Sequence, residues 1–297
     1  MTEYKRNKIL AILSFLVCVS VWYFSISVHF LRMFDPSVPS TSAAAVSWDG
    51  GGGDDDWCTD ANWSGDAEPT SVDDVTINTA DLAVTTSGCV TEGNDLDFNS
   101  LTLGGSASTT LILTQDIGTG GDITISASGT LRQDNNNTQT ITGDLTIESV
   151  GTLTHSNNSS TQLYVVDFVV ANLDVQSGGA IDVDGLGYDG GASGENPAVA
   201  GSGPGAGSAD FDRAGGGAHA GDGGVGIDEN YVVNGQGGVG GYNHPAAPTL
   251  LGSGGGGAVT NGGGDGGGAV KITVTGGGAA NVDGSVTAKG NDGTREF

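Results

Sequence analysis

The sequence predicts an all-β protein: a right-handed parallel β-helix, or solenoid, preceded by a signal or transmembrane helix and interrupted by a Gly-rich insertion. Three observations lead there: a unit that recurs about every 22 residues, an apolar run near the amino end, and a later stretch in which 32 of 89 residues are Gly. The unit is seen three times within 101–153. Leu101-Thr102-Leu103, Ile123-Thr124-Ile125 and Leu145-Thr146-Ile147 are spaced by 22 residues. Thr110-Leu111, Gly129-Thr130-Leu131 and Gly151-Thr152-Leu153 recur at 20 and then 22, and Gly121-Asp122 matches Gly143-Asp144. Apolar-Thr-apolar sets alternate side chains on one face of a short strand, and such a strand cannot bury that face alone, so successive units must stack. A solenoid grows coil by coil, so a length of 297 residues sets no domain count.

In chain order, residues 1–33 read as a signal peptide or signal anchor. Lys5, Arg6 and Lys8 precede an apolar run at 9–31, broken only by Ser20, Ser25, Ser27 and His29, and Arg32 follows it. These 23 residues are long enough as a helix to cross a bilayer core of about 30 Å, whereas a signal-peptide core is usually ~7–15 residues. Both readings mean export, and the charge asymmetry puts the amino end in the cytoplasm and the rest outside. The expected location is extracellular or at the cell surface, with the membrane a partner if the segment stays uncleaved. Ala43-Ala44-Ala45 offers a small-residue cleavage site at the end of a Pro/Ser/Thr linker, 34–47. After Val46 the chain carries five basic residues against 33 acidic ones, a net charge of −28. That balance excludes nucleic acid as a partner, because affinity for a polyphosphate rests on Lys and Arg displacing counterions. It also disfavours polyanionic glycans unless a divalent cation bridges them. Uncharged cell-surface glycans and proteins remain as partners, and composition leaves the oligomeric state open.

Residues 48–100 read as an amino-terminal cap and the first coils. They hold Trp48-Asp49-Gly50, Trp57-Cys58, Asn62-Trp63-Ser64 and a strand over 69–77 that opens at Pro69 and carries Asp73, Val75 and Ile77. This order of motifs resembles the start of bacterial surface β-helix proteins related to autotransporter passenger domains and adhesins, and the resemblance implies that architecture and an export route. Physically, the three Trp residues would shield the open end of the stack, where no preceding coil covers the apolar edges. Cys58 and Cys89 flank the cap while Cys18 lies in the apolar run. An exported chain with two such cysteines predicts one disulfide, contributing roughly 3–4 kcal/mol by closing a loop of about 30 residues. Without C-x-x-C spacing or a neighbouring His they do not read as a zinc site.

Residues 101–181 are the repeats proper, with further strands at Leu163-Tyr164-Val165-Val166, Phe168-Val169-Val170 and Leu173-Asp174-Val175. Asn135 to Asn137 and Asn157-Asn158 fall in corresponding bends, which predicts stacked Asn ladders. Residues 182–269 change character. Arg213 is the sole Lys or Arg between 182 and 270, and strand-length apolar runs vanish except near Tyr231-Val232-Val233. Asp184-Gly185-Leu186-Gly187-Tyr188, Gly203-Pro204-Gly205-Ala206-Gly207, Gly215-Gly216-Gly217-Ala218-His219 and Gly266-Gly267-Gly268-Ala269 resemble, in order, a Gly-rich excursion of large bacterial surface proteins. The resemblance implies an ordered segment that leaves the solenoid at one coil and rejoins at the next. Closely spaced extended chains suit it, because Gly lets backbones approach where a Cβ would block them. Residues 270–297 then read as the returning coil, with Val282-Asp283-Gly284-Ser285-Val286 expected to match Ile181-Asp182-Val183-Asp184-Gly185. Gly290-Asn291-Asp292-Gly293 begins a further Gly-rich departure with no polar cap, as in a piece of a longer protein.

No catalytic residue and no cofactor is singled out by the sequence. Calcium is the one ion with candidate ligands: Asp54, Asp55 and Asp56 with Asp49 and Asp60, and Asp228 in a single Gly-Gly-x-Gly-x-Asp match at 223–228. A solvated acidic loop is the alternative for the first group. The expected function is an exported cell-surface structural or adhesin-type module without catalytic activity. The alternatives are a carbohydrate-active enzyme, either polysaccharide hydrolase or lyase, and a calcium-stabilised glycan-binding module. Glycoside hydrolysis needs two carboxylates at a set separation, and Asp73, Asp74, Asp95, Asp97, Asp182 and Asp184 are all candidates. Arg132 is the one basic residue within 101–181, against the basic groups a lyase uses on its developing anion. His155, His219 and His244 show no paired spacing and read as packing or turn residues. A carboxylate cluster in a concave groove would mark the enzyme, and a flat face lined by Thr and Asn the adhesin.

Overall fold

The computed structural model describes residues 43–80, 82–89, 96–194, 198–227, 230–242 and 249–294. The apolar run at 9–31, most of the linker, and Asp95, Asp228 and His244 lie outside the described residues. Those described belong to one compact unit, Ala43–Phe297. Among them no helix is long and apolar enough to cross a membrane, and the helical content is one 3-10 turn, Asp60–Asn62.

Strand and extended chain make up the rest. The strands are β1 (Ala45–Ser47), β2 (Asp74–Ile77), β3 (Leu82–Thr85), β4 (Leu96–Leu103), β5 (Thr109–Leu113), β6 (Ile117–Ile125), β7 (Gly129–Gln133) and β8 (Gln139–Thr140). They continue as β9 (Leu145–Ile147), β10 (Thr152–His155), β11 (Val166–Val170), β12 (Leu173–Val175), β13 (Ala180–Asp182), β14 (Val270–Val274), β15 (Ala280–Val282) and β16 (Ser285–Thr287). Three sheets result, in the orders β1-β2-β4-β6-β9-β12-β15, β3-β5-β7-β10-β13-β16 and β8-β11-β14. Every ladder between these strands is parallel. From β2 onward successive strands pass to a different sheet and pair with strands met a unit later, an arrangement compatible with a β-helix or solenoid. Strand β1 takes in the last three residues of the stretch read as linker, because Val46 pairs with Val75.

The repeat sets the register. Leu101, Ile123, Leu145 and Leu173 pair in succession, as do Leu111, Leu131, Leu153, Ile181 and Val286. The central members of both rows, Ile123, Leu145, Leu111, Leu131 and Leu153, are fully buried. Each such side chain contributes about 1.5–3 kcal/mol over its exposed state. A slip by one residue would turn the intervening Thr row inward, so the apolar alternation holds the stack in one alignment.

The turn between the first two sheets explains the Gly of Gly-Thr-Leu. Ser128, Val150 and Gly178 occupy the left-handed region at φ 64°, 68° and 88°. The next residue, Gly129, Gly151 or Gly179, donates its N–H back to Ser126, Glu148 or Gln176 at 2.8–2.9 Å. A Cβ there would strike the carbonyl oxygen of Leu103, Ile125 or Ile147 on the neighbouring strand. Val150 is the misfit, β-branched and 64% exposed in a conformation that costs a non-Gly residue roughly 1–2 kcal/mol.

At the amino end the Trp rings close the stack as expected. Trp57 and Trp63 are fully buried edge-to-face with centroids 4.7 Å apart, and Trp48 meets Trp63 at 5.1 Å. The Trp63 indole donates to the Trp57 carbonyl at 2.7 Å. Thr85 N–H donates to Asp55 and Trp57 N–H to Thr85, both at 2.8 Å, which caps the outer edge of β3. Cys58 and Cys89 form the expected disulfide, with Cα atoms 5.3 Å apart, and tie this cap to the first coil.

The Gly-rich stretch is an ordered bundle of extended chains with 252–257 at its centre. Gly252 and Gly255 donate to Gly267 and Gly264, Ser253 and Gly256 to Ala218 and Gly215, and Gly254 and Gly257 to Ser202 and Val199, all at 2.8–3.2 Å. The carbonyls of Gly252 and Gly255 accept from Tyr188 and Gly191, and those of Gly254 and Gly257 from Gly207 and Asp210. A period of three is that of polyproline II, whose N–H and C=O groups point outward with no internal bonds. Five segments therefore surround one, and backbone groups buried between them are satisfied from chain to chain. A Cβ on Gly254, Gly256 or Gly215 would fall on the carbonyl oxygen of Asp189, Ser208 or Gln236, so these positions require Gly.

After this excursion the chain returns in register. β14 lies on β11, β15 on β12 and β16 on β13, pairing residues 104 to 107 apart in sequence. The expected match of Val282 with Ile181 is off by one strand: Val282 pairs with Val175, and Val286 takes the place beside Ile181. The short motif x-Val-Asp-Gly spans a turn between two strands, and the sequence reading placed it within one.

Replacing Val150 by Gly should raise stability by about 1 kcal/mol by relieving the left-handed turn, as Gly178 already does one rung on. A higher urea midpoint at unchanged slope is the expected result, and a lower midpoint contradicts this account of the turn.

Candidate functional site

The outward residues of the long sheet form polar rows in register. Thr76, Thr102, Thr124 and Thr146 stack in register, followed by Asp174 and Asn281. Two residues earlier on each strand runs a second row in which Asp74 pairs with Ser100 and Ser100 with Asp122. Asp144 and Asn172 continue that row, each just before its strand. Rungs in such a sheet repeat at about 4.8 Å and alternate residues along a strand at roughly 6.6 Å, so hydroxyls and carboxylates form a regular grid. Strands β5, β7 and β10 present a shorter counterpart, Thr110, Thr130 and Thr152.

Most of the carboxylates on these faces are bound from rung to rung. Asp74 accepts from Asn99 Nδ2 and Ser100 Oγ at 2.8 and 2.7 Å, and these two bonds hold its carboxyl below its ordinary pKa. Asp122 accepts the N–H of Asp144, and Asp144 accepts from Asn172 Nδ2, at 2.8 and 2.6 Å. Asn172 Oδ1 in turn accepts from Ala279 N–H at 2.7 Å. Asp97 accepts from Thr119 N–H at 2.6 Å and Asp184 from Lys289 N–H at 2.6 Å. The acidity of the chain thus has a structural use: short Asp side chains bridge the spacing between coils.

Among the described residues the enzyme candidates do not gather into one cluster, although Asp184 N–H donates to Asp182 Oδ1 at 3.0 Å. Asp74 and Asp97 lie on the long sheet, Asp182 on β13 of another, and Asp184 just beyond it. Asp73 caps its own turn by accepting from Thr70 N–H and Oγ1 at 2.9 and 2.6 Å, and Asp182 accepts from Thr287 Oγ1 at 3.1 Å.

The acidic loop near the cap is likewise engaged. Asp54 accepts from Asn62 Nδ2, Asp56 N–H and Thr59 Oγ1, and the first two of these hold its carboxyl below the ordinary value. Asp56 accepts from Cys58 and Gly88 N–H at 3.0 and 2.6 Å, while Asp49 and Asp60 accept from Gly51 and Glu68 N–H. Asp55 joins the cap through its backbone carbonyl. Asp56 with Cys58 and Cys89 is the one grouping among the described residues with metal-ligand spacing, and its two sulfurs are bonded to each other.

The buried amides are what the sequence reading missed, whereas His155 is the packing residue it expected. The Asn residues do not stack as a ladder. Asn158 is buried and folds its own bend by accepting from Leu163 and Tyr164 N–H, and Asn135 is drawn to the fully buried Gln133 and Gln139. Gln139 accepts from Ile117 N–H and Gln133 from Asp167 N–H, so the two amides replace strand bonds at the corner. The cluster of Asn and Gln in 133–139 was the available signal. His155 is 2% exposed; its Nδ1 bonds the Ser156 carbonyl at 2.7 Å, and its Nε2 accepts from Ala269 N–H at 3.2 Å. It fastens the point where the excursion rejoins the sheets. Burial pushes its pKa down, and the Ser156 carbonyl and the charge of Asp134 oppose that only in part.

Comparison with protein-family models, curated proteins and solved structures found no match for this chain.

Because the folded state lowers the pKa of His155, its contribution to stability is complete above the ordinary value of about 6.5 and is lost as pH falls through the lowered one. The thermal midpoint of the native chain should therefore fall more steeply between pH 7 and pH 5 than that of His155→Gln. Parallel curves would contradict the neutral, tautomer-fixed imidazole.

Proposed function

We propose that this chain is an exported cell-surface module of the structural or adhesin type, built as a right-handed parallel β-helix with a Gly-rich insertion and working without catalysis. The observation that carries the reading is the in-register row of Thr76, Thr102, Thr124 and Thr146 with its flanking Asp and Asn row. A regular array of hydroxyls and bound carboxylates suits a repeating uncharged partner, such as the surface of an insoluble glycan. A hydrolase would instead need two carboxylates converging in a groove, and the described candidates divide between the long sheet, with Asp74 and Asp97, and the end of β13, with Asp182 and Asp184, where their carboxylates accept hydrogen bonds between coils. Export and anchoring rest on the apolar run at 9–31 and its flanking charges. Likeness to bacterial surface β-helix proteins rests on the Trp motifs, which here form the buried cap. The net charge supports a partner other than nucleic acid.

The test is co-sedimentation of the full chain with insoluble polysaccharides and with whole cells, with released sugar measured in the same tubes. The native chain should be retained and no sugar released. Replacing Thr102, Thr124 and Thr146 together by Lys should cut retention at least tenfold while the circular dichroism is unchanged. Sugar release would overturn the non-catalytic reading, and undiminished retention of the triple variant would remove the Thr face from it.

A further inference from the structure

The Gly-rich bundle has two unlike ends. At one end Tyr188, Leu251 and Ala269 pack with Val165 as a buried cluster beside the sheets, where the chain leaves and rejoins them. The hydrogen bonds of the bundle place the other end at the opposite extreme of its segments. There Gly257 N–H donates to Val199, Asp210 N–H to Gly257, Val259 N–H to Phe211 and Gly194 N–H to Val259, so these turns are adjacent. Gly226 and Gly235 lie against the backbone of Arg213 and Ala214, and Ile227 bridges Val233 beyond them. Distant parts of the sequence therefore meet at one tip.

Aliphatic side chains are exposed in several places, Val150, Leu163, Val239 and Val282 among them, but among the described residues the two exposed aromatic rings are both at this tip: Phe211 is 64% exposed and Tyr231 89%, with Val232 at 54% and Val233 at 46%. Tyr231 also sits at φ 64°, a conformation that a bulky side chain avoids. Beside these residues a cleft of about 440 Å³ opens between Arg213, Ile227, Ala258, Asn261 and Thr294. Contiguous exposed apolar groups of this kind mark contact surfaces, and aromatic side chains dominate the binding energy of protein interfaces.

We infer that the tip, centred on Phe211 and Tyr231, is a docking surface for a protein whose own surface offers an apolar pocket rimmed by Lys and Arg. Charge decides the rim. Asp210 and Asp212 flank Phe211, Arg213 follows them as the one basic residue of 182–270, and the chain after Val46 carries five basic residues against 33 acidic ones. A basic rim is drawn in by that field and an acidic one is repelled. Branched aliphatic side chains beside the rings favour a protein partner over a glycan, whose hydroxyls they cannot satisfy. The inference is independent of the Thr face and assigns the molecule a second surface of different chemistry.

The test uses three immobilised peptides as probes, of Lys/Leu/Trp, Lys/Ser and Glu/Leu/Trp composition, with vesicles of zwitterionic lipid as a fourth. The full chain should bind the cationic apolar peptide at least tenfold more tightly than either other peptide. The double variant Phe211→Ser, Tyr231→Asn should lose at least tenfold of that affinity. Asn tolerates the left-handed backbone, so the thermal midpoint should not fall, and retention on polysaccharide should be unchanged. Equal binding of all three peptides, undiminished binding by the variant, or a loss seen only on vesicles would overturn the inference. Failure of polysaccharide retention in the native chain would count against the Thr face alone.

Discussion

The backbone hydrogen bond from one chain segment to the next is the interaction on which everything else in this protein depends. In the sheets it runs in one plane, from strand to parallel strand, and the chain satisfies it by returning to the same place after each unit. In the Gly-rich bundle it runs in three directions around each segment, which a chain with side chains cannot do, since a Cβ would occupy the space the neighbouring carbonyl needs. The composition changes abruptly after Ile181 for that reason. Alternating Leu, Ile and Thr serve a two-faced sheet, and Gly serves a lattice with almost no faces at all.

The two architectures are joined by a demanding geometric condition. The chain leaves after β13, travels through the bundle and returns so that β14, β15 and β16 continue the ladders it left. Parallel strands hold their alignment only when the incoming strand arrives at the right height and phase. His155 and Val183 meet the chain at that point through Ala269 and Gly268. An imidazole that must stay neutral at the junction couples the seating of the last rung to pH. The surfaces differ along the same line: the sheets present a regular polar face and the bundle exposes Phe211 and Tyr231.

Much of the fold was legible in the sequence because its physics is periodic. Spacings of 22 residues translate directly into paired strands, and Leu101, Ile123 and Leu145 stand next to one another as the repeat requires. The Trp cap and the disulfide were legible from residue type and position. The register of the return was not, since Val282 and Val286 satisfy the same short motif and only the heights of β12 and β13 distinguish them. The corner amides were misread as a ladder because Asn at equivalent bends suggests stacking, whereas Gln133 and Gln139 both donate to Asn135 Oδ1. The lattice on the long sheet was visible as three Thr residues, yet its Asp row looked like catalytic surplus until the rung-to-rung bonds gave it a purpose. Of the tip only the apolar run Tyr231-Val232-Val233 was visible, because turns distant in sequence meet only once the bundle has formed.

The central claim is that 252–257 is the core of a hydrogen-bonded bundle and not a flexible Gly-rich loop. Amide hydrogen exchange on the full chain tests it most directly, since extended chains without internal bonds are protected only by bonds to their neighbours. The account predicts that Gly254, Gly255 and Gly256 exchange as slowly as Ile123 and Leu131 in the sheets. Exchange of those glycines within seconds at neutral pH, with the sheet amides still protected, would contradict it.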